Sequence, residues 1–347
     1  MSDFIHLTNK TEYSLSEGAL PIARISELCQ AFKMPAVGIT DTNNMFGALE
    51  FSEKVSSVGV QPIIGCNLKI KTPKNYLHEN IEEEDLHFFL NIFSKNEVGY
   101  KNLLNIISSA YMNHKENAYV DIEQLYKNKE GLLVLSGGNN SILKYSNGNS
   151  ITSQSASFVA DFKKEFIDNF YIEIQRIEGN DYRIDEEVIL NLAYDNNIPV
   201  VATNDVYFEG PDHFEAHDAL MCIEKKLFVS QKDRKRLSKN HYFKSQNEMQ
   251  ELFSDIPEAL FNTIEIAQRC SHRPKIKMPV LPSYHNDDSQ EKKLLRELSY
   301  QGLEENLTQK FMSEQIDDNS QLNIKNEYEK RLEKELKIII DMKYEGY

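Results

Sequence analysis

Three carboxylates in this sequence, Glu17, Asp41 and Asp205, stand close behind short apolar runs of the kind that form buried strands: FIHL (4–7), AVGIT (36–40) and PVVATN (199–204). Strand-end carboxylates serve as metal ligands or as general acids and bases. Their polar neighbours are a mixed set. Thr8 and Lys10 follow the first run, Thr42 follows Asp41, and Asn67 lies within PIIGCNLKI (62–70). Gly137 and Gly138 follow LLVLS (132–136), and Asn204 and Tyr207 flank Asp205. A single such carboxylate ordinarily caps a loop; three on one rim make a candidate site. Lys10 brings a positive charge that repels a cation.

Two further patterns invite chemistry. His213 and His217 in HFEAH (213–217) stand four residues apart on an expected helix. The metalloprotease pattern H-E-x-x-H needs Glu at the second position, where Phe214 stands, so an ordinary helix is expected. In the stretch 225–244, Lys225, Lys226, Lys232, Arg234, Lys235, Arg236, Lys239 and Lys244 face a single acid, Asp233. A solvated loop is the ordinary reading of such a run; a contact for DNA or an acidic partner is the functional one. Neither a G-x-x-x-x-G-K-[ST] nor a G-x-G-x-x-G loop is present, so nucleotide binding of those kinds is not indicated.

The rim needs a scaffold. FFLNIF (88–93) and FYIEI (170–174) complete a series of about seven short apolar strands over the first 205 residues. Between them lie segments of helical spacing, such as Ile22, Ile25, Leu28, Cys29 and Phe32, then Phe46, Leu49, Val55 and Val58, then Ile184, Val188, Leu190, Leu192 and Ala193. Apolar strands alternating with helices predict an α/β fold with a largely parallel sheet covered by helices, closed as a barrel. The polar stretch 137–157 reads as a mobile loop. The proline-rich stretch 273–290 ends a first domain, expected over residues 1–275. The remainder, 276–347, reads as a linker and two amphipathic helices near 290–308 and 326–342.

Composition sets bounds. The chain has 347 residues, 40% hydrophobic, with 18 Phe and 17 Tyr, enough for a sizeable core. Its net charge of −15 argues against a whole-surface grip on nucleic acid. No apolar run is long enough to cross a bilayer and no secretory leader is evident. Cys29, Cys66, Cys222 and Cys270 form no C-x-x-C pair, which favours reduced thiols and a cytoplasmic location.

The segments HLTNKTEYSLSEG, PAVGITDTNNMFGALEF, QPIIGCNLKI, SKNEVGYKNL, EGLLVLSGG and PVVATNDVYFEGPDHFEAHDALMCI, continued by residues 242–270 and 328–347, carry a resemblance. Together and in order they resemble the amino-terminal polymerase-and-histidinol-phosphatase (PHP) domain of bacterial DNA polymerase III alpha subunits. The resemblance implies a distorted (β/α)7 barrel of PHP type and a role in DNA replication within a DNA-directed DNA polymerase, a nucleotidyltransferase. It also implies a rim where mostly histidine ligands, with Asp, Glu and sometimes Cys, hold a small metal cluster.

Carried over residue by residue, most of those ligands are missing. The paired histidines fall on Thr8 and Lys10, with His6 two positions too early. Glu17 keeps a carboxylate. The histidine of the T-D-H motif falls on Thr42, beside Asp41. The next glutamate falls on Asn67, the next histidine on Phe89, with His87 close by, and the Cys or His after S-G on Gly138. Asp205 is retained, but its companion histidine is Tyr207. This set implies a degenerate site without metal or catalytic residues, in which the Lys10 ammonium serves as counter-charge to Asp205, Glu17 or Asp41. The alternative is an active phosphoesterase or 3′–5′ exonuclease using Asp41, Asp205, Glu17 and His6 or His87. The family's Mg2+-binding palm aspartates are expected downstream of MKYEGY (342–347), so no cofactor is expected in this chain. The implied partners are the proofreading exonuclease and other replicase subunits, with DNA contacted through the full-length protein.

Overall fold

The computed structural model describes residues 4–73, 87–114, 118–138, 141, 143, 152–177, 186–231, 233–234, 236–277 and 288–346. Much of the expected loop at 137–157 and of the linker at 273–290 lies outside them, as do Ile184, Lys232 and Lys235. Two compact units divide the chain, Met1–Lys275 and Ile276–Tyr347.

The first unit is built on one six-stranded sheet in sequence order: β1 (Ala36–Ile39), β2 (Gln61–Lys71), β3 (His87–Ser94), β4 (Leu132–Leu135), β5 (Phe170–Gln175) and β6 (Val200–Thr203). β1 and β2 pair in parallel, as do β4, β5 and β6; β3 is antiparallel to both its neighbours. The sheet is therefore largely parallel, as the apolar runs suggest, but the reversal of β3 is not legible in them. The reason is that a fully buried strand reads the same in either direction.

FIHL is no regular strand, yet it closes the ring. Gly38 N–H donates to His6 O at 2.7 Å and Thr40 N–H to Asn9 O at 2.9 Å, joining this segment to β1. On its other side, Val206 N–H donates to Thr8 O at 3.0 Å and Lys10 N–H to Val206 O at 2.8 Å, joining it to the residues after β6. Gly38 permits the approach, because a Cβ there would lie 2.2 Å from Leu7 O.

Helices α1 (Ile22–Ala31), α2 (Ala48–Ser57), α3 (Glu97–Asn113), α4 (Ile122–Lys127), α5 (Ser153–Phe166) and α6 (Glu186–Asp195) lie between the strands. Val37, Ile39, Ile64, Leu68, Leu90, Ile92, Val134, Ile172 and Val200 join residues from these helices in one apolar core. Alternation along the strands turns the next residues to the opposite face. There Ile5, Leu7, Ala36, Ile63, Phe93, Leu133, Leu135, Tyr171 and Val201 form a second cluster with Ile266, Ala267 and Cys270. Ile266 and Ala267 mark α9 (Pro257–Arg269), with Cys270 at its C-cap, and this helix plugs the end where β1, β2 and β6 begin. Asn262 Nδ2 donates to Val200 O at 2.7 Å, and Gln61 Nε2 to Ala267 O at 2.7 Å. The opposite end, where the parallel strands finish, is left for the site.

α7 (Phe214–Lys225) and α8 (Gln246–Leu252) precede α9. The expected helix around Phe46 starts later, at Ala48, and leaves Phe46 and Leu49 exposed. α5 begins at Ser153, capped by the Thr152 side chain, inside the stretch expected to be loop. In the second unit, α10 (Asp288–Glu314) and α11 (Asp318–Asp341) are longer than the spacing indicates. Among the described residues no helix is long and apolar enough to cross a membrane, and all four cysteines are free and buried.

Candidate functional site at the strand-end rim

Above the inner apolar cluster, the same strand faces turn polar. Asn67 and Asn91 are opposed across β2 and β3, and Asn67 Nδ2 donates to Asn91 Oδ1 at 2.8 Å. Asn91 Nδ2 donates to Glu173 at 3.0 Å. Glu173, fully enclosed, also accepts from Thr203 Oγ1 at 2.5 Å, Gln175 Nε2 at 2.9 Å and Gly137 N–H at 3.2 Å. Burial pushes its carboxyl above the usual range, against the pull of the Thr203 and Asn91 hydrogen bonds. Of this network, the sequence pattern singles out Asn67 and Gly137. The available signal was a polar residue set inside an otherwise apolar strand run, Asn91 in FFLNIF and Glu173 in FYIEI.

At the rim proper, the Asp41 carboxylate is fully engaged by the loop after the first segment. It accepts from Thr11 N–H at 2.7 Å, Thr11 Oγ1 at 2.8 Å and Ser14 Oγ at 2.6 Å. Burial raises its pKa; those bonds and the Lys10 charge act in the other direction. Lys10 is buried and its Nζ donates to Thr42 Oγ1 at 3.0 Å. Thr42 Oγ1 in turn donates to Glu17 Oε2 at 2.5 Å. The expected direct lysine–carboxylate pair is thus replaced by a hydroxyl bridge: no ion pair joins Lys10 to a carboxylate among the described residues. The backbone places the ammonium one hydroxyl short of Glu17.

Asp205 sits at φ +43°, and its N–H donates to Thr8 Oγ1 at 3.2 Å. The Tyr207 phenol is raised well above its ordinary pKa by burial, then by the Asp205 and Glu17 carboxylates, with a hydrogen bond to Asp205 among the causes. Two histidines complete this side. His217 Nε2–H donates to Glu17 O at 2.6 Å, and His241 Nδ1–H to Asp205 O at 2.9 Å. Their rings meet Tyr207 edge-on. Burial lowers both imidazoles below the usual value. His213, by contrast, precedes α7 in a short 3-10 turn and is exposed, so the two histidines of HFEAH do not share a helical face at a site.

The remaining sequence candidates disperse. His6 donates from Nε2 to Lys244 O at 2.8 Å between Phe4 and Phe243, and burial lowers its pKa to about 3. His87 packs on Tyr119, opposite Lys71 in the β2–β3 register. Phe89 is half-buried on β3 beside the backbone of Gly137. Gly138 adopts φ +53°, and a Cβ there would lie 2.4 Å from the Gln175 amide. Among the described residues, no three His, Cys, Asp or Glu side chains are grouped to hold a metal ion.

The basic stretch is less free than its sequence indicates. The Arg234 guanidinium grips the buried Asp218 carboxylate with both terminal nitrogens. Arg236 reaches Asp218 at 3.0 Å and Glu215 at 3.6 Å, so these arginines answer acids on α7 rather than Asp233. Lys244 is buried and donates to Asn204 Oδ1 at 2.8 Å. Lys225, Lys226 and Lys239 remain exposed. Beside the rim, Glu17 and Thr42 also line an open cleft of about 240 Å³ with Ser14, Leu15, Asn43, Asn44, Phe46 and Tyr111.

A curled strand–helix sheet thus carries a polar rim at its strand ends. Residues 6–177 match the PHP domain family, so the chain carries a PHP domain. The individual proteins it resembles are bacterial DNA polymerase III alpha subunits. It is 37% identical to that of Caulobacter vibrioides over 99% of its own length, 35% identical to that of Rickettsia bellii over 100%, and 32% identical to that of Haemophilus influenzae over 99%. The chain spans 29% of the length of each of these relatives.

Proposed function

We propose that this chain is the PHP portion of a replicative DNA polymerase III alpha subunit, acting in the cytoplasm as a brace for the polymerase and a docking surface for the proofreading exonuclease subunit. In this reading its rim has lost the metal, and DNA synthesis belongs to residues beyond those present here. The observation that carries the loss of metal is the bridge Lys10–Thr42–Glu17. It joins a cationic side chain, Lys10, and a neutral one, Thr42, at positions where imidazole donors would be needed, and Thr8 stands at a third such position. Zinc and manganese sites need several imidazole, thiolate or carboxylate donors together. Here Asp41 is enclosed by Thr11 and Ser14, and His6 and His87 are engaged elsewhere. The residues present do not fit a metal cluster, and no hydrolytic step is assigned to them.

Protein purified without chelator and analysed for zinc, manganese and iron, alongside a generic phosphodiester assay, tests this half of the reading. Substoichiometric metal and no metal-dependent hydrolysis are expected; two tightly bound ions per chain with hydrolysis would overturn it. Sedimentation of the chain with the purified exonuclease subunit tests the docking half, with a stable complex expected.

A further inference from the structure

Immediately after α7 the chain makes a turn that is tied down at several points. Lys226 takes a left-handed φ of +54°, and Leu227 N–H donates to Cys222 O at 2.9 Å. Phe228 N–H donates to Gln231 Oε1 at 2.7 Å, and Gln231 N–H returns to Phe228 O at 3.0 Å. Arg234, locked on the buried Asp218, donates from its second terminal nitrogen to Val229 O at 3.2 Å. This fixed turn nevertheless presents Phe228 at 74% exposure and Val229 at 53%, beside Ile223 at 74%. Lys225 and Lys226 stand exposed next to them, and neither has an ion pair among the described residues.

We propose that Ile223, Phe228 and Val229, flanked by Lys225 and Lys226, form a docking surface for an acidic, aliphatic segment of a protein partner. The inference rests on the docking role proposed above and gives it a surface and a chemistry. A turn whose backbone is already held in place loses little backbone entropy when a partner covers it, which favours binding. The two lysines select an acidic partner by charge complementarity. Nucleic acid fits less well. Two of the three apolar groups are aliphatic and cannot stack on bases. The arginines suited to phosphate, Arg234 and Arg236, are turned onto Asp218 and Glu215.

The test is selection from a displayed random-peptide library on the whole chain, followed by fluorescence anisotropy of the enriched peptides. Asp- and Glu-rich peptides with Leu, Ile or Val anchors are expected. Their affinity should fall at least about tenfold on Phe228→Glu, and also on the double variant Lys225→Glu with Lys226→Glu. Because these side chains are exposed, unchanged circular dichroism is expected to accompany the loss. Peptides that bind all variants alike, an absence of enrichment, or Phe228-dependent binding of a dT20 oligonucleotide would each overturn the proposal. An exonuclease subunit that binds wild type and Phe228→Glu equally sinks this surface but spares the docking role. One that binds neither sinks the docking role, while Phe228-dependent acidic peptides would still uphold the surface.

Discussion

Lys10 shows how one side chain shapes a rim. Its ammonium is enclosed, and among the described residues its acceptor is a neutral hydroxyl that passes the contact on to Glu17. Lys10→Met should keep the aliphatic packing but leave Thr42 and Glu17 without that charge. A loss of about 1–3 kcal/mol in denaturant unfolding is expected; unchanged stability would show that the bridge does no structural work. His6 makes a pH prediction. Its folded pKa, lowered to about 3, lies below the 6.5 of an ordinary imidazole. The unfolded chain therefore takes up a proton below pH 6.5 that the folded chain refuses. The resulting stability is whole above pH 6.5 and drains away as pH falls from 6.5 towards 3, with a slope of at most about 1.4 kcal/mol per pH unit. His6→Phe should flatten that slope, as unfolding midpoints between pH 7 and 4 would reveal.

At the scale of elements, much was legible. The apolar runs located all six strands, and the carboxylates Glu17, Asp41 and Asp205 were found on one rim because strand ends gather in this architecture. Two things were not legible. The direction of β3 was hidden because both faces of FFLNIF are buried apart from Phe89. The Glu173 network was hidden because its partners lie on strands remote in sequence, and no spacing rule links Asn67, Asn91, Glu173 and Thr203. The ion-pair partners of the arginines in the basic stretch were hidden for a similar reason: Asp218 lies on the preceding helix, outside the run. Gly138 tests the element directly, since its own backbone lies against Gln175. Gly138→His, a residue type that the resemblance implies there, meets both a positive φ and the Gln175 amide. A destabilisation of about 1–3 kcal/mol is expected, measured by denaturant titration; a neutral effect would mean that the loop yields easily.

The molecule as a whole divides unevenly. The first unit holds both apolar clusters, whereas in Ile276–Tyr347 the apolar side chains buried among the described residues are Leu307 and Leu336. So small a core adds little cooperativity. Urea unfolding followed by circular dichroism should show two steps, an early helical one of shallow slope and a later one shared with Tyr and Phe signals. A single coincident transition would refute the division.

The closing of the ring also imposes an order of events on a growing polypeptide. Thr8 meets Asp205 across a separation of 197 residues, so the FIHL segment can pair with β1 early but fills its second edge only once residues 205–206 have been made. At roughly 5–20 residues per second, a ribosome would leave that edge of the segment open on the order of ten seconds or more. Its apolar side chains would be an early client for chaperones, and slow translation would lengthen that exposure.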